Sequence, residues 1–138
     1  MRIVPLRHLV TVTNSNVDKI TAPEELPVRL CNYVDVYKNE RITQRLRFMA
    51  ASATVSEVAR FGLRVGDVII TKDSEDRADI AVPAYVAETA PDLVCGYHLA
   101  LLRANPTRIR GDFLFWALQS KLAREAFSNA AGGVTRYG

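Results

Sequence analysis

The chain has 138 residues, of which 49% are apolar and 24% charged, and a net charge of +3. That length suits one domain, and the apolar content is enough for a core without metal or disulfide staples. No apolar run reaches the roughly 18 residues that a membrane-crossing helix needs. Residues 1–16 lack both the continuous apolar stretch and the small-residue cleavage site of a secretory leader, so a cytoplasmic protein with no membrane partner is expected.

In chain order, residues 3–12 are apolar enough for a strand or a short helix, and residues 13–19 form a polar turn. Pro23 and Pro27 bound an irregular connection. Residues 27–37 (PVRLCNYVDVY) alternate, with Val28, Leu30, Asn32, Val34 and Val36 on one side and Arg29, Cys31, Tyr33, Asp35 and Tyr37 on the other; the period predicts a strand. A helix is predicted over 55–61, capped by Thr54 or Ser56 and ended by Gly62 and Gly66. Strands follow at 67–71, at 80–87 with Pro83 marking an edge or a bulge, and at 93–102 with a kink at Gly96. Asn105-Pro106 is a turn. Asp112 is placed to cap a helix over 113–127, in which Leu114, Leu118 and Leu122 recur every four residues. Phe113, Phe115 and Trp116 read as core. Strands first and the long helix late predict an α+β domain.

The chemistry-bearing residues point away from catalysis. Cys31 and Cys95 each lie in an apolar run with no second Cys or His at ligand spacing, so two buried thiols are expected and no metal site. A phosphate-cradling loop needs a lysine after its last glycine, and Gly132-Gly133 has none. Asn105-Pro106-Thr107-Arg108 departs from the Asn-Pro-Pro-aromatic turn of amino-methyltransferases at its third and fourth positions. Pro91-Asp92 is not followed by the carboxylate-x-Lys pair of metal-dependent nucleases. His8 and His98 are the two histidines, and neither stands in a nucleophile motif. No enzyme activity and no cofactor are expected.

The cations instead suggest a polyanion. Arginine outnumbers lysine, 14 to 4, and its planar fork suits phosphates and guanine edges. Residues 38–47 (KNERITQRLR) carry Lys38, Arg41, Arg45 and Arg47 against Glu40 alone, an excess equal to the +3 of the whole chain.

Several segments resemble one family in its order. Residues 63–70 (LRVGDVII), with the preceding 57–61, resemble the "L-x-x-GD-hydrophobic" block of target-recognition domains in type I restriction–modification specificity subunits. Residues 28–37, 95–105 (CGYHLALLRAN), 113–120 (FLFWALQS) and 132–138 (GGVTRYG) are similar to that family's first strand, its strand after the variable loop, its helix and its glycine loop. The resemblance implies a single target-recognition domain over 1–138, with a twisted mixed or antiparallel sheet, a late C-terminal helix and DNA-facing loops, stopping before the family's helical spacer and second domain. It implies a non-catalytic specificity subunit that binds double-stranded DNA and assembles with DNA methyltransferase (modification) subunits and a restriction subunit.

On that reading the DNA-binding side chains are Lys38, Asn39, Arg41, Gln44, Arg45, Arg47, Lys72, Arg77, Arg136 and Tyr137. Gly132 and Gly133 would let backbone approach the duplex. A lone half of a bipartite reader is expected to bind weakly and with strong salt dependence. A protein-interaction adaptor is the competing reading, and it predicts an exposed apolar patch and no clustered arginines over the loops. A nuclease or methyltransferase fragment would require clustered carboxylates or a cofactor cleft.

Overall fold

The computed structural model describes residues 8–72 and 80–130. In chain order the elements are β1 (Val10–Asn14), β2 (Leu26–Cys31), α1 (Tyr33–Lys38), β3 (Arg41–Ile42), β4 (Met49–Ala53), α2 (Val55–Phe61), β5 (Val68–Thr71), β6 (Pro83–Val86), β7 (Leu93–Cys95), β8 (Leu99–Ala104), α3 (Gly111–Leu118) and α4 (Lys121–Ala130). Two sheets form, in the orders β1-β8-β5-β6-β3 and β4-β2-β7. Both are mixed: β3 runs parallel to β6 and β2 parallel to β7, while the other pairs are antiparallel. The expected α+β class is what the structure has.

The larger sheet is covered on both faces, and the two-residue period of its strands divides the core. Ile69, Leu99 and Leu101 point into a cluster shared with Leu30, Cys31, Leu93, Val94 and Cys95 of the smaller sheet, to which Val36 of α1 and Phe61 of α2 also belong. Val68, Ala100 and Leu102 point the other way, against Leu114 and Leu118 of α3. Each fully buried Leu, Ile or Phe in these layers contributes roughly 1.5–3 kcal/mol.

A short block places α3 on the sheet. Gly66 has φ +96°, a turn open to glycine at little cost. A Cβ on Gly111, the first residue of α3, would lie 2.0 Å from the Gly66 carbonyl oxygen, so the two backbones touch. Asp67 is 2% exposed. Its carboxylate accepts from the Arg64 N–H at 2.8 Å and from two guanidinium nitrogens of Arg103, on β8, at 2.9 Å each. The same guanidinium donates to the Gly62 carbonyl at 3.2 Å. The Gly66-Asp67 pair is therefore a structural clamp that joins the end of α2, the start of β5 and β8.

Several expectations need correction. The strand over 27–37 stops at Cys31, because Asn32 opens α1 and the Asp35 carboxylate accepts the Asn32 N–H at 2.8 Å. The strand over 93–102 is two strands in different sheets, β7 and β8, separated by the Gly96 corner. The helix over 113–127 is two helices. The Gln119 and Ser120 N–H groups reach back only three residues, to Trp116 and Ala117, which tightens and ends α3, and the Ser120 hydroxyl then accepts the Ala123 N–H at 3.2 Å. That break turns Leu122 out to 80% exposure, and Phe127 packs in its place.

Asp112 is not the cap of α3. Arg110 holds that position and Asp112 sits in the first turn, where a carboxylate complements the helix dipole. Of the three aromatics expected in the core, Phe115 packs near Tyr85, whereas Phe113 and Trp116 are exposed. Pro83 opens β6 rather than interrupting it, and β6 lies inside the sheet between β5 and the short β3. For the first segment the described strand is β1; residues 3–7 lie outside the described residues.

Candidate nucleic-acid interface

Parallel and antiparallel pairing bring several strand ends together. The C-terminal ends of β1, β2, β5 and β7 and the N-terminal ends of β4 and β8 face the same side. Buried Ser15, just after β1, binds this end into one piece. Its hydroxyl donates to the Cys95 carbonyl at 2.6 Å and accepts the Val17 N–H at 3.2 Å. Its own N–H reaches the Leu99 carbonyl at 3.3 Å. The Lys72 N–H donates to the His98 carbonyl at 3.1 Å, and the Lys72 ammonium to the Ser15 carbonyl at 3.3 Å.

The Gly96 corner then sets the surface. The Gly96 N–H donates to the Cys31 carbonyl at 2.9 Å. A Cβ at Gly96 would lie 2.7 Å from that same oxygen and 3.2 Å from the Asn32 side-chain oxygen, so only glycine lets β7 turn so near to β2. The turn displays Tyr97 and His98, whose rings meet edge to face at 4.9 Å, and places the Lys72 ammonium 5.5 Å from the centre of the Tyr97 ring. Beside them opens a cleft of about 530 Å³, lined among others by Lys19, Asn32, Tyr33, Arg47, Met49, Tyr97 and His98.

The predicted contact residues divide between this end and the rest of the molecule. Arg47 lines the cleft, and Lys72 lies against its Tyr97. Lys38 and Asn39, at the end of α1, stand by Val82 and Pro83 at the start of β6; the Asn39 amide donates to the Asp35 carbonyl at 2.9 Å. Arg41 lies along the sheet edge with its guanidinium 5.3 Å from the Tyr85 ring centre. Gln44 and Arg45 have been carried toward the far end of β6, where the Gln44 N–H meets the Glu88 carboxylate at 3.0 Å. The segment 38–47 is therefore spread from the end of α1, along the sheet edge, to the cleft, and is not gathered into one patch. Arg77, Gly132, Gly133, Arg136 and Tyr137 lie outside the described residues.

Lys19, the start of α1 (Asn32 and Tyr33) and the turn after β7 (Tyr97 and His98) come to the cleft from distant parts of the chain, and the sequence did not place them together. The signal available was Gly96, which breaks an apolar run just before an exposed aromatic.

Two carboxylates, Asp18 and Asp35, line the cleft beside Lys19 and Arg47. Ion pairs engage Arg29 with Asp92, Arg103 with Asp67, Arg110 with Asp112, and Lys121 with Glu125. Among the described residues Lys19, Lys38, Arg45, Arg47 and Lys72 form none. The hydrogen bond from Arg29 holds the Asp92 carboxyl below its ordinary value. Desolvation pushes the Asp35 carboxyl up, against the lowering effect of the Asn32 N–H. Burial pushes the Cys95 thiol up to about 12 and raises Cys31 as well. Both cysteines are free and buried, in register across β2 and β7. Inert thiols of this kind are packing groups rather than nucleophiles.

The opposite end carries a second set of arginines. Arg64, Arg103 and Arg110 surround a recess of about 480 Å³, beside which Arg108 lines a wider one. Arg103 and Arg110 are committed to Asp67 and Asp112. Among the described residues no group of three or more His, Cys, Asp or Glu converges on a point where a metal ion could sit, and no helix is long and apolar enough to cross a membrane.

No protein-family model matches the chain, and no curated protein does. Among solved structures the chain is similar to the crystal structure of a type I restriction–modification system S subunit from M. genitalium, with a TM-score of 0.50 and 14% sequence identity. The similarity covers 96% of this chain and 29% of that one, so the chain spans under a third of the length of the subunit it resembles. At that identity the likeness is one of fold.

Proposed function

We propose that the chain is a target-recognition domain that reads a short stretch of double-stranded DNA as one half of a bipartite target. In this reading it is a non-catalytic part of a type I restriction–modification assembly, and the methyltransferase and restriction subunits supply the chemistry. The observation that carries the reading is the fold likeness to an S subunit over 96% of the chain. Cations at the Tyr97 end that form no ion pair among the described residues support it. Lys38, Arg47 and Lys72 would meet phosphates there and fix the register; Arg77, Arg136 and Tyr137, outside the described residues, are proposed as DNA contacts from the sequence alone. Arg41 would contribute from the sheet edge. Gln44 and Arg45, and the amide of Asn39, are the weaker members of the set because of where the fold puts them or what they already bind.

The test is titration of a labelled duplex at increasing salt. Binding that weakens steeply with salt is expected, and each of Lys38→Ala, Arg47→Ala and Lys72→Ala should reduce the slope of log affinity against log salt by about 1. A folded chain that binds no duplex at low salt contradicts the reading.

One observation favours the adaptor instead. Trp116 is 66% exposed beside an exposed Phe113, their rings 5.9 Å apart, on the outer side of α3. An apolar pair of that kind suits a protein partner. If Trp116→Ser abolishes assembly with a partner while no duplex binds the parent chain, the adaptor reading stands.

A further inference from the structure

Resting on the reading that the Tyr97 end meets DNA, we propose that the cleft beside Tyr97 receives one unstacked nucleotide. The base would lie against Tyr97 and Met49 with its hydrogen-bonding edge toward Asn32, and the phosphate would sit at Arg47 and Lys19. The size fits: about 530 Å³ lies in the range of small-ligand sites, roughly 300–1,000 Å³.

The lining fits a flat, mostly apolar guest. Leu30 and Val17 are buried at its floor, while Val34, Met49 and Tyr97 are left exposed around it. Exposed apolar groups gathered in a concavity mark a site that something fills. Tyr97 is 52% exposed and its ring is already held, with the Lys72 ammonium 5.5 Å from its centre and His98 against it edge to face. A ring fixed in this way is a stacking platform that loses little freedom when a base lands on it.

The polar groups fit a base with a phosphate. Among the described residues the Asn32 side-chain nitrogen donates to the Met49 sulfur at 3.8 Å, a weak acceptor that a stronger one can replace. An Asn amide pairs well with a base edge. Arg47 and Lys19, on the same rim, have no ion-pair partner among the described residues. The acids of the cleft are partly engaged: Asp18 accepts the Ile20 N–H at 2.9 Å and Asp35 the Asn32 N–H at 2.8 Å.

The nucleotide could come from DNA, as one residue swung out of the stack, or from solution, and the experiment separates the two. Amide spectra of the full chain are followed during titration with each of the four deoxynucleoside 5′-monophosphates and with 2-deoxyribose 5-phosphate, which has no base. Two duplexes are added in parallel, identical except for one bulged nucleotide. At least one nucleotide should shift the Asn32, Tyr97 and His98 amides while the base-less sugar phosphate leaves them in place. The bulged duplex should bind about ten-fold tighter than the paired one. Tyr97→Ala should cost about ten-fold in nucleotide affinity, and Tyr97→Phe should keep it, the spectra reporting that both remain folded.

Nucleotide binding with no preference for the bulge supports the cleft and assigns the ligand to solution. Equal shifts from the base-less sugar phosphate overturn the proposal. So do cleft amides that stay still under every nucleotide and under the bulged duplex; if the paired duplex then shifts other amides, the DNA-reading function survives without the cleft. Failure of every nucleic acid to bind removes both.

Discussion

Asp67→Ala should be among the most damaging single changes on the polar side of this fold. The wild-type carboxylate is 2% exposed and accepts three hydrogen bonds, one from the Arg64 N–H at 2.8 Å and two from Arg103 at 2.9 Å. Truncation removes all three hydrogen bonds and, among the described residues, leaves the Arg103 guanidinium with the Gly62 carbonyl, at 3.2 Å. Breaking a buried pair costs about 3–5 kcal/mol. The Arg103 side chain is 30% exposed and can recover some solvent, which places the loss at the lower end, about 3 kcal/mol. Against a total stability of about 5–15 kcal/mol that is a large fraction. It corresponds to a fall in melting temperature of roughly 10 °C for a chain of this size.

Urea unfolding measures it directly, as a lower midpoint at unchanged slope. Arg103→Met in the Asp67→Ala background removes the stranded charge, so the double variant should be more stable than the sum of the single losses, with a coupling of about 1.5 kcal/mol or more. A loss below about 1 kcal/mol, or strictly additive single changes, would show that the clamp is not what joins β5 to β8.

Other expectations follow from the same geometry. Gly111→Ala drives a Cβ to 2.0 Å from the Gly66 carbonyl oxygen, and thermal unfolding should show a loss of about 2–3 kcal/mol, whereas the same exchange at a surface glycine costs little. Cys31 and Cys95 are buried and their thiols raised, so iodoacetamide at pH 8 should label neither until denaturant opens the core; rapid native labelling would refute the packing. In carboxyl titrations Asp35, raised by desolvation, should protonate at higher pH than Asp92, which Arg29 holds low. The stability from Asp92 is thus present at neutral pH and lost as pH falls through its lowered value, while Asp35 costs stability at neutral pH and is relieved in acid; the reverse titration order would contradict both environments.

The parts of the fold legible in the sequence are those whose cause is local. Thr54, capping α2 by accepting the Glu57 N–H at 3.1 Å, is a three-residue pattern, and the Gly66 turn before β5 is another. Where two local causes compete, pattern alone misleads. Val28, Leu30, Val34 and Val36 keep the alternation of one strand, yet the Asn32–Asp35 bond starts a helix in its middle. The apolar run through Gly96 hides a change of sheet, because the reason for the break is a backbone approach between Gly96 and Cys31, 65 positions apart. The candidate site was half legible for the same reason. The charges of Lys38, Arg41, Arg45 and Arg47 are plain in the sequence, but the placing of Arg41 on the sheet edge depends on β3 pairing with β6, and Arg47 goes instead to the cleft. Tyr97 meets Lys72 and lines a cleft with Arg47 only through the tertiary pairing of β5 with β8 and of β2 with β7 and β4.

The most direct measurement of the central claim is selection of bound duplexes from a random-sequence pool by the purified chain at low salt. A reader of base edges enriches one short shared motif, and a duplex carrying it outcompetes a scrambled one of equal length and charge. A pool that stays random after repeated rounds, with the protein folded and retaining duplex, would leave only charge attraction and contradict sequence recognition.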